Sequence, residues 1–267
     1  MICRVKDIPI YYEQHGKGKP VLCIHGYSVD HRLMSGCLEP IFSKMNGYRR
    51  IYLDLPGMGK SPAPSWLKNS DDMLDIVTAF IDEVIGSETF LVIGESYGGG
   101  MAQGLIHTMK HRVDGIFLLC SMFEPDRNKR TLPEHRTLYK DDSFSPTEEF
   151  LEMAVVATPQ TYELYKRDIL SGLQIGDAEF LSRLKNEGYA FSFDDERKNL
   201  YFDKPATILA GRQDNSVGYA DAYNMLENFP RATFAVLDCA GHNLQIENEA
   251  LFACHVKDWL LRISYES

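Results

Sequence analysis

The chain has 267 residues, which is enough for one large α/β domain or for two small ones. Its hydrophobic share of 44% and charged share of 25% allow a sizeable core to be buried without disulfides or a structural metal. The formal net charge of -10 argues against a nucleic-acid partner, because the phosphates of such a partner would be repelled.

The cysteines and the beginning of the chain point to a reducing compartment. No two of the six cysteines have CxxC spacing, and Cys23 and Cys120 lie in apolar runs where buried free thiols are common. The first residues lack the shape of a signal peptide, and no apolar run is long enough to span a membrane. We therefore predict a cytoplasmic protein that does not insert into membranes.

Strand and helix patterns alternate along the first half of the chain. Apolar runs predict strands at residues 8–13, 20–25, 50–55, 89–93 and 113–120. Helical spacing predicts helices at residues 29–45, 71–85 and 98–109. Strands separated by helices imply parallel pairing through right-handed crossovers.

This alternation stops after residue 121. Helical patterns follow at residues 146–157, 159–173 and 177–186. A strand at 205–210, a helix at 218–228, a strand at 232–237 and a final amphipathic helix then resume the alternation. We predict an α/β core made of residues 1–121 and 204–267, interrupted by a helical insertion at residues 122–203.

A GxSxG sequence at residues 94–98 gives the strongest local signal. It follows the predicted strand 89–93 and begins the predicted helix 98–109, which is the setting of a nucleophile elbow. Gly94 and Gly98 leave room for the sharp turn that would expose the hydroxyl of Ser96. The helix start adds a positive dipole end, so we predict that Ser96 is a nucleophile.

A serine nucleophile needs a base, and that base needs an acid to orient it. His242 follows the last predicted strand, at the carboxyl edge where open α/β sheets place their sites. Asp214 follows strand 205–210 at the same edge, and the order Ser, Asp, His is that of the α/β-hydrolase fold. Asp126 and Asp238 are the rival acids. 

Two backbone N–H groups should stabilise a developing oxyanion. We expect one from Tyr97, directly after the nucleophile, and one from Tyr27, in the loop that follows the early strand. His25 would brace that loop. His107 and His111 are four residues apart but lack the glutamate of an HExxH zinc motif, so we predict no metal.

These segments together resemble the α/β-hydrolase superfamily, and most of all its cap-bearing lipase-like, esterase-like and C–C hydrolase-like members. The resemblance is carried by residues 23–26, 54–61, 94–99, 211–214 and 241–242. It implies a mostly parallel central sheet with helices on both faces and a helical cap inserted after the sixth strand. No metal or organic cofactor is implied.

The resulting hypothesis is a serine hydrolase that cleaves a small carboxylic ester or a related acyl compound through an acyl-enzyme on Ser96. An aminopeptidase, a C–C bond hydrolase and a non-catalytic small-molecule receptor on the same fold remain alternatives. Aromatic side chains of the insertion, Tyr162 and Phe191 among them, would either bind substrate or pack the cap on the core. The expected partner is a small-molecule substrate, and a homodimer is left open.

Overall fold

The computed structural model describes residues 1–266. The ten strands in chain order are β1 (Ile2–Val5), β2 (Ile8–Gly16), β3 (Lys19–Ile24), β4 (Tyr48–Leu53), β5 (Phe90–Glu95), β6 (Val113–Leu119), β7 (Tyr139–Lys140), β8 (Val156–Ala157), β9 (Ala206–Gly211) and β10 (Ala232–Leu237). Eight of them form one sheet in the order β1-β2-β4-β3-β5-β6-β9-β10, while β7 and β8 pair separately.

The α-helices of the described residues are α1 (His31–Phe42), α2 (Ser70–Val84), α3 (Tyr97–Met109), α4 (Glu148–Leu151), α5 (Pro159–Tyr165), α6 (Ser171–Leu173), α7 (Ala178–Glu187), α8 (Asp194–Arg197), α9 (Ala220–Asn224), α10 (Leu244–Glu247) and α11 (Glu249–Ser264). A π-helical turn at Lys166–Leu170 joins α5 to α6. Short 3-10 turns lie at Lys110–Arg112 and Leu226–Asn228.

The main sheet is parallel except at one edge, where β1 pairs with β2 and β2 pairs with β4 in antiparallel fashion. The register places Ile24 beside Gly94, and Glu95 beside Leu119. Gly211 in turn pairs with Leu237. The carboxyl ends of the parallel strands therefore meet at a single edge of the sheet, from which the connecting loops project.

Helices cover both faces of this sheet. α1 and α11 contact each other on one face, and α2 and α3 contact each other on the opposite face. β5 and β9 are buried along their whole length, which is why they consist of near-continuous apolar residues. The prediction of a mostly parallel α/β-hydrolase sheet between two helical layers is confirmed.

The segment between β6 and β9 departs from the sequence prediction in one place. A helix was expected over residues 146–157, but α4 ends at Leu151 and the chain turns into β8. This prediction was wrong because two partners distant in sequence extend the backbone there. β7 pairs with β8, and the side chain of Glu247 accepts the N–H of Val155 at 2.6 Å.

The edge strand β1 was missed because its four residues alternate weakly and only Val5 is fully buried. Its pairing with β2 supplies the regularity that the local sequence lacks. All six cysteines are free thiols. No helix within residues 1–266 combines the length and the apolar character needed to cross a membrane.

Trp259 of α11 anchors one helical layer to the sheet. Its ring is fully buried, packs edge-on against Phe117 of β6 and donates its indole N–H to the Pro205 carbonyl at 3.2 Å. We expect Trp259→Ala to lower the free energy of unfolding by about 3–5 kcal/mol, because it leaves a cavity and an unpaired carbonyl. Urea denaturation followed by circular dichroism measures this change.

Leu261 on the same helix provides the matched control. Its side chain is exposed, so Leu261→Ala should change the free energy of unfolding by less than about 0.5 kcal/mol. Equal losses in the two variants would contradict the anchoring role of Trp259.

Candidate active site

Ser96 lies in the turn between β5 and α3, with a backbone φ of 52° and ψ of -114°. This left-handed region is unfavourable for a residue with a side chain, and neighbouring strands hold the strain. The N–H of Ser96 donates to the Leu119 carbonyl at 3.0 Å, and the Ser96 carbonyl accepts the N–H of Met122 at 2.9 Å.

Gly94 and Gly98 make this turn sterically possible. A Cβ atom at Gly94 would lie 2.3 Å from the carbonyl oxygen of Gly98, and one at Gly98 would lie 2.2 Å from the carbonyl oxygen of Ile24. Both contacts are with backbone, which cannot swing away. β3, β5 and α3 therefore approach so closely that only glycine fits on either side of the serine.

Ser96, His242 and Asp214 form one hydrogen-bonded chain. Nε2 of His242 lies 3.0 Å from the Ser96 hydroxyl oxygen, and Nδ1 of His242 donates to a carboxylate oxygen of Asp214 at 2.9 Å. The other Asp214 oxygen accepts the backbone N–H groups of Ser216 and Val217 at 2.8 and 3.1 Å. The structure thus brings together the three residues that the sequence selected.

The rival acids lie elsewhere. Asp126 accepts the backbone N–H of Asn128 and pairs with Lys129. Asp238 accepts a hydrogen bond from the Gln213 amide at 2.8 Å. Within residues 1–266 neither carboxylate binds His242.

The charges of this group reinforce one another. Burial raises the pKa of Asp214, but His242 and the two backbone donors outweigh burial and hold that pKa below its ordinary value. Burial lowers the pKa of His242, whereas Asp214 and the nearby Glu95 raise it to about 9. A neutral imidazole is the form that can accept a proton from serine, so this form is favoured as the pH rises.

Two backbone N–H groups beside Ser96 have no partner among residues 1–266. One belongs to Tyr97, the first residue of α3, and the other belongs to Tyr27, in the loop after β3. His25 shapes that loop, since its ring binds the Gly26 carbonyl at 2.7 Å and accepts the N–H of Leu55 at 3.0 Å. Both predicted donors therefore remain available to a ligand.

Glu247 ties the loop of His242 to the segment before β8. One carboxylate oxygen accepts the Gly241 N–H at 2.6 Å, and the other accepts the N–H of Val155 at 2.6 Å. Residues on either side of this carboxylate are more than 80 positions apart in sequence. Glu247 therefore couples the position of the histidine loop to the insertion.

A cavity of about 760 Å³ lies between the insertion and the segment that follows β6. Tyr27 and Tyr189 line it, and their rings contact each other with centroids 5.7 Å apart. Tyr189 also packs against Tyr97, with centroids 4.9 Å apart, so the cavity adjoins the elbow. Most of the lining side chains are charged, among them Glu124, Arg127, Arg130 and Lys185.

Tyr162 and Phe191 do not line this cavity. Tyr162 packs among aromatic rings of the insertion, including Phe150 at a centroid distance of 5.0 Å. Phe191 is buried and stacks on Phe193 at 4.7 Å. Contact of either side chain with substrate stays a prediction, whereas both contribute to the packing of the insertion.

His107 stacks on Phe193 with a centroid distance of 4.2 Å. Two other groups of described residues bring possible metal-ligand atoms within 4.8 Å of one another: Cys120 with Asp214 and His242, and Asp30 with His31 and Asp54. In the second group His31 and Asp54 already bind each other, at 2.7 Å.

Sequence reasoning missed three residues of this region: Glu95, Tyr189 and Glu247. Glu95 carried a signal, because an acidic residue at the end of an apolar strand and beside the serine must be buried. Glu247 lies five residues after His242, but nothing in that spacing predicts a contact with Val155. Tyr189 carried no local signal, since its role depends on how the insertion folds back.

Comparisons with known proteins agree with this geometry. A family model for the alpha/beta hydrolase fold matches residues 19–249. The crystal structure of an alpha/beta superfamily hydrolase from Oenococcus oeni PSU-1 superposes with a TM-score of 0.90 at 33% identity, over 96% of both chains. The chain therefore belongs to the α/β-hydrolase family.

Two curated relatives are more distant. A 2-hydroxy-6-oxononadienedioate/2-hydroxy-6-oxononatrienedioate hydrolase of Paraburkholderia phymatum is 25% identical and covers 95% of this chain and 91% of its own length. A pimeloyl-[acyl-carrier protein] methyl ester esterase of Legionella pneumophila (strain Paris) is 22% identical and covers 94% and 99%. The relatives support the coarser functional prediction, a hydrolase on this fold.

Removing the Glu247 carboxylate should release the histidine loop. Glu247→Ala leaves the N–H groups of Gly241 and Val155 without an acceptor, so we expect the free energy of unfolding to fall by about 2–3 kcal/mol. Amide hydrogen exchange should accelerate in residues 239–243 and 154–157. Urea denaturation and exchange mass spectrometry measure the two effects.

Glu249→Ala serves as the matched control. Glu249 is exposed and bonds only to the Gln160 amide at the surface, so its removal should change stability by less than about 0.5 kcal/mol. Unchanged exchange at both segments in Glu247→Ala would contradict the coupling.

Proposed function

We propose that this protein is a serine hydrolase that cleaves a small carboxylic ester or a related acyl compound through an acyl-enzyme on Ser96. The observation that carries the proposal is the unbroken chain from the Ser96 hydroxyl through His242 to Asp214, at distances of 3.0 and 2.9 Å. The strained backbone of Ser96 supports it further, because such strain persists where the surrounding structure enforces it.

Acylation begins when the Ser96 oxygen bonds to the substrate carbonyl carbon. The serine proton passes to Nε2 of His242, and the carbonyl π electrons move onto oxygen. The N–H groups of Tyr27 and Tyr97 donate to that oxyanion. Its collapse breaks the bond to the leaving group, which takes the proton from His242, while Asp214 keeps the imidazole oriented throughout.

Deacylation repeats these steps with water. His242 removes a proton from the water molecule as its oxygen attacks the acyl carbon, and collapse of the second oxyanion returns the proton to Ser96. Residues 122–203 serve as a cap over this edge, and Tyr189 is the cap side chain that reaches the elbow. The six free thiols support a cytoplasmic location.

A C–C bond hydrolase is the second candidate function. It is favoured by the relative from Paraburkholderia phymatum, whose name describes hydrolysis of a dienedioate. Carbon–carbon cleavage requires the leaving carbon to be protonated, so a carbon acid replaces the alcohol as leaving group. The ester reading is supported by the methyl ester esterase of Legionella pneumophila.

Loss of any member of the proposed triad should abolish turnover. We expect Ser96→Ala and His242→Ala to lower kcat on an activated ester by about four to six orders of magnitude, and Asp214→Asn by about three to four. Covalent labelling by a fluorophosphonate probe should disappear in Ser96→Ala. Stopped assays with p-nitrophenyl acetate and gel fluorescence of the probe report both quantities.

His107→Ala and Asp238→Asn are the matched controls, since each removes a residue of the same type that does not contact the triad. Both should keep wild-type labelling. Wild-type turnover by Ser96→Ala would overturn the assignment of the nucleophile. Labelling of the wild type without subsequent release would instead support a receptor that traps its ligand.

The charged lining of the cavity predicts a preference for short acyl groups. A long alkyl chain would remove water from side chains such as Arg127 and Lys185 without replacing their hydrogen bonds. We expect kcat/KM for p-nitrophenyl esters to fall at least about tenfold from butyrate to decanoate. A rise with chain length would contradict this prediction and indicate an apolar acyl site elsewhere.

A further inference from the structure

Glu95 is a buried acid that the proposed reaction does not yet use. It precedes Ser96 directly, and only 2% of its surface is exposed. One carboxylate oxygen lies 3.3 Å from Nε2 of His242, the nitrogen that also faces the Ser96 hydroxyl. The other oxygen lies against Gly26, where an added Cβ atom would approach it to 2.1 Å.

This position leaves Glu95 with one cationic partner. Within residues 1–266 no lysine or arginine forms an ion pair with it, and His242 is the only basic side chain within 4 Å. An ionised carboxylate that is buried without a counter-charge is costly, so the charge of Glu95 is stable mainly when His242 carries a proton. Gly26 has no side chain that could separate the two groups.

We propose that Glu95 is a second carboxylate partner of His242, which binds the protonated imidazole at Nε2 and thereby sets the pH at which this histidine can accept the proton of Ser96. The proposal rests on the proposed function, since it concerns the same histidine. Glu95 acts through His242 and is therefore a positioning residue.

The two carboxylates act on different ring nitrogens. Asp214 binds Nδ1, which keeps its proton throughout the reaction, whereas Glu95 faces Nε2, which must lose its proton before Ser96 can react. Glu95 makes this first loss harder. It also stabilises the imidazolium that forms when Ser96 transfers its proton, so the same contact opposes the resting base and favours the intermediate.

Few other groups around Glu95 carry charge near neutral pH. Tyr189 of the insertion, Cys120 after β6 and Cys37 of α1 all sense its charge, but burial raises the pKa of each, so they stay neutral. Asp214 is ionised beyond the imidazole. Arg130 is the remaining cation, and it opposes the protonation of His242.

The direction of the effect follows from these charges. Burial raises the pKa of Glu95 to about 7, an increase that His242 opposes and Asp214 augments. Glu95 is therefore ionised over the range in which His242 loses its proton, near pH 9. An adjacent anion raises the pKa of an imidazole, so removing this anion must lower it.

The test is the pH dependence of inactivation by a fluorophosphonate probe, measured from pH 5 to pH 10 for the wild type and Glu95→Gln. We expect the midpoint of the rising limb to move down by about one pH unit or more in Glu95→Gln. Below both midpoints the variant should then react at least about tenfold faster than the wild type. A midpoint equal to that of the wild type overturns the proposal.

Asp238→Asn is the control for a general loss of one negative charge near His242, and its midpoint should stay at the wild-type value. If Glu95→Gln does not fold, as judged by circular dichroism, Glu95→Asp replaces it. The shorter side chain withdraws the carboxylate from Nε2, so its midpoint should also move down, and an unchanged midpoint counts against the proposal.

The two hypotheses fail separately. Loss of labelling in Ser96→Ala together with a wild-type midpoint in Glu95→Gln would remove only the role of Glu95. Retained labelling in Ser96→Ala would remove the proposed function itself. A structural role for Glu95 would lower the inactivation rate at every pH without moving the midpoint.

Discussion

The backbone of Ser96, held at a φ of 52°, is the constraint on which the rest of the site depends. Gly94 and Gly98 allow it, because any Cβ at either position would collide with backbone of α3 or β3. The sheet enforces it, since hydrogen bonds from the chain after β6 hold Ser96 on both sides. With the serine fixed at the edge of the sheet, parallel register brings the ends of β9 and β10 beside it.

Charge is the second organising feature. Two buried carboxylates, Asp214 and Glu95, face opposite nitrogens of one imidazole, and the protein places no lysine or arginine in contact with either within the described chain. His242 is consequently the group on which their stability depends. Glu247 holds the loop of this histidine against the insertion, so electrostatics and the placement of the cap are physically joined.

The insertion contributes more polarity than its aromatic content suggests. Tyr162, Phe191 and Phe193 pack within it or against the core, and of the aromatic side chains singled out from the sequence only Tyr189 reaches the cavity. Charged residues of the segment after β6 and of the region around α7 and α8 supply most of the remaining lining. Aromatic residues are used for packing here, and polar ones face the space that a substrate would enter.

The sequence by itself determined the α/β core and the three residues at its edge, because strand and helix periodicity is local and the elbow needs a glycine pattern within five positions. The strained geometry of Ser96 and the selection of Asp214 over Asp238 follow from that same register. Only the tertiary structure decided the extended chain at β8, the link through Glu247 and the contact between Glu95 and His242. Each of these depends on residues far apart in sequence whose distance is set by packing, which no local pattern encodes.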